Sequence, residues 1–264
     1  MRLLIITLIF TGSLLAVDFS TRYDVDVGMF GKVGYADVTL SEDKDSYEMK
    51  VVATTTGTAS TLTEKRIETY ISKGKIISGQ YQPDTFVRIK KTTRKERIQT
   101  YHFDHKKQEV ILDQNEVKWI TQTRFDTKKF KLVKEDVKDI SNSRSVLSTY
   151  NNNDVLSAYL NTKQNCNTHQ KEYNLLAVGA HNDKKDITVS FLEGLKKVEV
   201  ASSFSKDIGN IYNLHVQPID KDDTTVDVLL AFDNDGHMKE ALLGNVFWIG
   251  EIKATRVYHQ VARN

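Results

Sequence analysis

Few residues in this chain stand in patterns that do chemistry. The stretch YHFDHKKQ brings His102, Asp104 and His105 together. On a strand His102 and Asp104 share a face, and imidazole with carboxylate is a donor set that zinc accepts. Such a centre needs three or four converging ligands, and no third is evident; a strand end running into a polar turn accounts for the same residues. The single cysteine, Cys166, lies in QNCNTHQ with His169 three positions on. A cysteine nucleophile needs a base and an oxyanion site, and this polar, loop-like context reads as a bystander thiol. DNDGH at 233–237 has Gly236 in the fourth position, where a calcium loop has its glycine in the sixth, so it reads as a turn. Gly-x-Ser-x-Gly, His-Glu-x-x-His and P-loop motifs do not occur. The chain is therefore not read as an enzyme, and no catalytic residue, metal or cofactor is assigned.

Binding is the better-supported kind of chemistry. RIKKTTRKER at 88–97 is strongly basic, and KKFKLVK at 128–134 is a second basic run. Lys90, Lys91, Arg94 and Lys95 are the candidate partner-binding residues, suited to anionic lipid, lipopolysaccharide or an envelope protein. A solvated hairpin whose edges are protected by lysines explains them equally. Lys and Arg total 37 against 35 Asp and Glu, a net charge of +2, so no global field draws the chain to nucleic acid.

The elements that position these residues alternate with a period of two. YDVDVGMF puts Tyr23, Val25 and Val27 on one face and Asp24 and Asp26 on the other, the mark of a half-buried antiparallel strand. GYADVTL, YEMKVVA, TFVRIK and RIQTYHFD continue the pattern, with TTRKE as a hairpin tip. EVILDQNEVKWI reads as two short strands around a polar DQN turn. RFDTKKFKLV, EYNLLAVGA, DITVSFL, KKVEVASSF, IYNLHVQPI, TTVDVLLAFD and GEIKATRVYHQV read as further strands. TASTLTEKRIETYI has near-helical spacing but enough Thr and Ile to be a strand. Roughly a dozen strands with close turn signals predict an all-β sandwich or barrel; a βαβ architecture would need helices that are missing.

One stretch breaks the pattern. In NNNDVLSAYLN, residues 151–161, Asp154 can cap the free N–H groups of a first helical turn. Val155, Leu156, Tyr159 and Leu160 follow at helical spacing, with small Ser157 and Ala158 permitting close packing. The expectation is a short helix that plugs a barrel end or covers a sheet edge.

The chain opens MRLLIITLIFTGSLLAVDFS: one basic residue, an apolar run and a small residue at Ala16. This is the layout of a secretory signal peptide over residues 1–16, leaving residues 17–264 as one antiparallel β domain. A periplasmic or secreted location follows, with no spanning segment after cleavage. One cysteine permits no intramolecular disulfide, so stability must come from the core. Only two prolines occur, and no linker or low-complexity segment divides the chain.

The order of several weak motifs carries a resemblance. Tyr101-His102-Phe103-Asp104, then Asp154-Val155-Leu156-Ser157-Ala158, then AFDNDGHMKEA, then GEIKATRV from Gly250 follow one another. This layout resembles an exported bacterial family of unknown function, the DUF3108 type. Val155 stands where that family often has proline. Related exported proteins look lipocalin-like, which implies an antiparallel β-barrel or strongly curved sandwich with one or two short helices and a ligand cavity. The expectation is a soluble exported protein that binds a small apolar or amphipathic molecule. Inward aromatic and apolar residues, Tyr23, Val25, Tyr101, Phe103, Trp119 and Trp248, would line the cavity. The alternative is a cell-envelope interaction or assembly factor acting through the basic hairpin and strand edges, without a ligand.

Overall fold

Alternating apolar and polar residues build strands that bury one face, and strands of this kind pair in order along the chain. The computed structural model describes residues 17–167, 171–175, 177–179, 187–216, 226–234, 236–246 and 250–257. Strands β1 (Val17–Val27), β2 (Gly31–Glu42) and β3 (Ser46–Thr55) are followed by helix α1 (Gly57–Leu62). A meander of β4 (Ile67–Ile77), β5 (Gln80–Lys91), β6 (Lys95–Asp104), β7 (Glu109–Asp126) and β8 (Lys131–Val146) leads to helix α2 (Val155–Asn167). Then come β9 (Glu172–Leu175), β10 (Ile187–Phe191), helix α3 (Gly194–Ala201), β11 (Ile211–Val216), β12 (Val226–Phe232), β13 (Met238–Val246) and β14 (Gly250–Val257).

All fourteen described strands form one antiparallel sheet, ordered β8-β7-β6-β5-β4-β3-β2-β1-β14-β13-β12-β11-β10-β9. Every neighbour is a sequence neighbour except at one seam, where β1 pairs with β14 from Arg22↔Val257 to Val27↔Ile252. The fold is all-β with minor helix. Among the described residues the sheet does not close, which is consistent with the expected antiparallel β-barrel or strongly curved sandwich. Among the described residues no helix is long and apolar enough to cross a membrane.

Helix α2 sits inside the curl and explains why a β-rich chain makes a helix there. Asp154 Oδ1 accepts from the N–H of Leu156 at 2.7 Å and of Ser157 at 3.0 Å, while Ser157 Oγ accepts from the Asp154 N–H at 2.9 Å. These reciprocal bonds are a capping box and satisfy donors that a buried helix start would otherwise orphan. Leu160 packs with Tyr23, Val38, Leu40, Tyr47 and Met49 from β1–β3. Val155 and Leu156 pack on the cluster of Phe86, Tyr101, Phe103 and Val110. Tyr159 faces Tyr212, Leu230 and Phe232 of the C-terminal strands. The helix is thus a core filler touched from three sides, rather than a plug at one end. Its stripe is worth about 2 kcal/mol per fully buried large side chain. On the opposite face α3 and its flanks, through Leu192, Val200 and Ala201, cover Ile211, Ala231 and Leu242.

Several sequence expectations change. RFDTKKFKLV, read as one strand, is the hairpin that joins β7 to β8. EVILDQNEVKWI is one uninterrupted strand within the 18-residue β7. Its polar centre stays paired on both sides, Gln114 with Gln99 and Ser143, and Asn115 with Ile98 and Asn142. The Gln99 amide donates to Gln114 at 3.1 Å, so cross-strand amide bonds replace the turn expected from composition. KKVEVASSF is mostly the helix α3, because its apolar residues at helical spacing meet a second apolar sheet face that the strand reading did not foresee. TASTLTEKRIETYI divides into the helix α1 and the start of β4. The described helices therefore number three, with a 3-10 turn at Gly28–Phe30, against the one or two expected. Gly74 marks a shift in the β4–β5 register, and a Cβ there would lie 2.0 Å from the Gln82 carbonyl oxygen. Glycine is what lets the two backbones approach so closely.

Candidate functional site

Register sorts the concave side of β4–β8 into rows that no single strand reveals. Nearest the α2 core, Ser72, Phe86, Tyr101, Leu112 and Ser145 lie side by side. The next row is Tyr70, Arg88, Gln99, Gln114 and Ser143. The row beyond is Glu68, Lys90, Arg97, Glu116 and Ser141. Lys95, Lys118 and Asp139 follow, with Arg66 at the head of β4. Since residues two apart on a strand share a face, the surface passes from apolar through amide to charged within a few rows.

The charged rows are basic. Arg66, Arg88, Lys90, Lys95, Arg97 and Lys118 surround two carboxylates, Glu68 and Glu116. Arg66 bonds Glu68 through Nε at 2.6 Å, Arg88 lies 3.6 Å from it, and the Tyr70 hydroxyl donates to it. Burial raises the Glu68 carboxyl, but the Tyr70 hydroxyl and the guanidinium groups of Arg66 and Arg88 outweigh it and hold its pKa below the ordinary value. Glu116 is bonded by Lys118 at 2.7 Å and Lys95 at 3.0 Å, and by Arg97. The Lys118 bond foremost, with Arg97 and Lys95 and against burial, holds its carboxyl at about 2.

One ammonium and one guanidinium N–H are left over. The Lys90 ammonium has no ion pair with a described residue. Burial lowers its pKa, and Arg66, Arg88 and Arg97 push the same way against Glu68. Arg88 Nε is buried without a hydrogen-bond acceptor, while the guanidinium lies 5.6 Å from the centre of the Tyr70 ring. An unsatisfied buried donor beside a crowded ammonium is a poor solvent for cations and a good one for an anion.

Among the described residues the predicted lining residues stand in separate places, except that Tyr101 and Phe103 share one cluster. Tyr23 is buried in the cluster around Leu160, and its hydroxyl donates to the Met238 carbonyl at 2.7 Å. Tyr101 and Phe103 are buried in a separate cluster with Phe86. Val25 is half-buried at the β1–β14 seam. Trp119 is half-buried on β7, with the Lys138 ammonium 5.8 Å from its ring centre. Trp248 lies outside the described residues. The four candidate cations also part company. Lys90 and Lys95 belong to the concave rows, whereas Lys91 is on the opposite face. Arg94, at the β5–β6 turn, donates to Thr121 Oγ1 at 2.9 Å and approaches Asp136 at 3.5 Å. Sequence reasoning singled out the run bounded by Arg88 and Arg97 without naming either as a site residue, and it missed Arg66, Glu68, Glu116 and Lys118. The available signal was alternation in IETY, RIK, KERIQ and NEVK, which puts Glu68, Arg88 with Lys90, Lys95 with Arg97, and Glu116 with Lys118 each on one face of its strand.

The other candidates have local partners. His102 is exposed and 3.3 Å from Asp113. Asp104 accepts from the N–H of Lys106 and Lys107, and His105 lies between the Tyr150 hydroxyl at 2.7 Å and the Pro83 carbonyl at 2.6 Å. Asp233 accepts from the His237 N–H and pairs with Arg256 at 2.5 Å, which ties this segment to β14; Asp235 lies outside the described residues. Cys166 falls at the end of α2, and His169 lies outside the described residues. A cleft of about 420 Å³ opens where Tyr81, Gln82, Asn153, Asn161, Tyr173 and Asn174 meet, on the far side of α2's start from the charged rows.

Residues 22–128 match the family model described as a protein of unknown function, DUF3108, the family that the motif order resembles. The matched segment runs from within β1 through the end of β7 and contains every cation of the concave rows. No curated protein matches the chain. No solved structure matches it either.

Proposed function

We propose that this chain is an exported binding protein that takes an anionic amphiphile on the concave face of β4–β7. The anionic group would sit among Arg88, Lys90 and Arg97, and the apolar part would lie along Tyr70 toward the Phe86–Tyr101–Leu112 row. One observation carries this reading. Register sets an unsatisfied guanidinium Nε one row, and an unpaired ammonium two rows, from an apolar row. Charge-assisted bonds to phosphate or carboxylate are strong and planar at Arg, and a neighbouring apolar surface adds affinity for a chain. The alternative, an envelope assembly factor using the β5–β6 hairpin, has less support, because Lys91 and Arg94 face away from Lys90 and Lys95.

Export rests on the residues 1–16 leader pattern. N-terminal sequencing of protein recovered from an envelope fraction should read from Val17. The binding reading is tested by calorimetric titration with dodecyl phosphate and with dodecyl maltoside. Dodecyl phosphate should bind and weaken with added salt, and the uncharged maltoside should bind at least tenfold more weakly. Equal binding of the two, or none of either, would refute the reading.

A further inference from the structure

Strands β7 and β8 run on past the rest of the sheet. β6 begins at Lys95, opposite Lys118, and from Trp119↔Lys138 to Asp126↔Lys131 the two strands have only each other as ladder partners. At 3.3 Å per residue this finger projects about 25 Å. Its tip is apolar and uncovered: Phe130 is 84%, Leu132 70% and Phe125 50% exposed. Phe125 and Phe130 meet edge to face with ring centres 6.1 Å apart. Asp126 Oδ1 accepts from the N–H of Lys128 at 2.9 Å and of Lys129 at 3.1 Å, which fixes the turn. Around these side chains stand Arg124, Lys128, Lys129, Lys131 and Lys134, none of them ion-paired with a described residue. Asp126 is the sole acid between positions 124 and 134.

We infer that this tip docks on an anionic lipid surface, with Phe125, Phe130 and Leu132 entering the headgroup boundary and the five cations meeting the lipid charges. Exposed apolar clusters of this kind mark contact sites. A stable protein interface needs about 800 Å² of complementary surface per partner, which three side chains on a narrow two-stranded finger do not offer. A lipid boundary asks only for a few apolar groups beside cations whose long stems keep their heads in water. The site is separate from the concave rows and independent of what they bind.

The test is flotation of the protein from Val17 to Asn264 with phosphatidylcholine vesicles, with and without phosphatidylglycerol. The wild type should float with phosphatidylglycerol vesicles at low salt and at least tenfold less with phosphatidylcholine alone. Phe130→Ser with Leu132→Ser should lose that binding at least tenfold while keeping the far-ultraviolet circular dichroism of the wild type. In Phe130→Trp, brominated lipid should quench added fluorescence that the wild type lacks. Absence of wild-type flotation, or undiminished flotation of the double serine variant, overturns the inference. So does loss of flotation in Arg88→Gln with Lys90→Gln alone, which would place the lipid contact on the concave face. Tip-dependent self-association or tip-dependent protein capture without vesicle binding overturns it in favour of a protein partner.

Discussion

The Ser72 hydroxyl on β4 donates to the Asp154 carboxylate at 2.6 Å, across 82 residues of sequence. Tyr47 on β3 meets the same hydroxyl at 2.8 Å. The helix cap is thereby bonded to the middle of the sheet, and α2 cannot shift along the curl without breaking it. Asp154 is fully buried, and burial pushes its carboxyl up to about 6 although the bonds from Ser72, Ser157 and Leu156 oppose the rise.

The sign of its pH effect follows. A carboxyl with a raised folded pKa binds protons more tightly when folded. Its contribution is therefore most favourable below the ordinary value of 3.8 and declines as pH rises to about 6. Two pKa units correspond to about 3 kcal/mol at most. Asp154→Asn, titrated with urea from pH 4 to 7, should lose more stability relative to wild type at pH 4 than at pH 7. A difference independent of pH would refute this.

Glu116 behaves in the opposite sense. Its lowered pKa gives a contribution that is present above its ordinary value of 4.5 and lost as pH falls toward about 2. Its three partners are a third to nearly half exposed, so solvent weakens the effect on stability. Glu116→Gln should therefore shift the urea midpoint little at pH 7. It should strengthen dodecyl phosphate binding several-fold, since it frees Lys95, Arg97 and Lys118. Unchanged or weaker affinity would count against the concave site.

Lys90→Gln separates binding from folding. Its ammonium is crowded by three arginines, so its removal relieves repulsion and should leave thermal stability equal or slightly raised. Dodecyl phosphate affinity should fall about tenfold, within the range for one charge-assisted bond. A large loss of stability with intact affinity would make the residue structural.

Tyr23→Phe distinguishes a core role from a lining role. The hydroxyl bond to the Met238 carbonyl joins β1 to the first residue of β13, and its loss should cost about 1 kcal/mol in urea denaturation. Ligand titration should be unchanged. Weaker binding at unchanged stability would restore Tyr23 to a cavity wall.

Phe86 and Gly179 make a final pair. A Cβ at Gly179 would come within 2.2 Å of the Phe86 ring, and φ there is +84°. Phe86→Ala should cost about 3–5 kcal/mol through the cavity it leaves. Gly179→Ala should also destabilise, through both the backbone and the ring. If both variants melt as the wild type does, the packing of this segment against β5 is refuted.

The sequence by itself determined the antiparallel strands, because alternation along a chain directly encodes one buried and one wet face. It also determined the start of α2, since Asp154 and Ser157 cap locally. The TTRKE turn was legible for the same reason. Tertiary structure alone decided which face was concave, that β1 and β14 meet, and that α3 would be a helix against a second covered face. It also decided the candidate site. Arg66 and Glu68, Arg88 and Lys90, Lys95 and Arg97, and Glu116 and Lys118 come from four different strands. Alternation says which residues of one strand share a face, but lateral register, set by turns, bulges and core packing, says which strands' residues become neighbours.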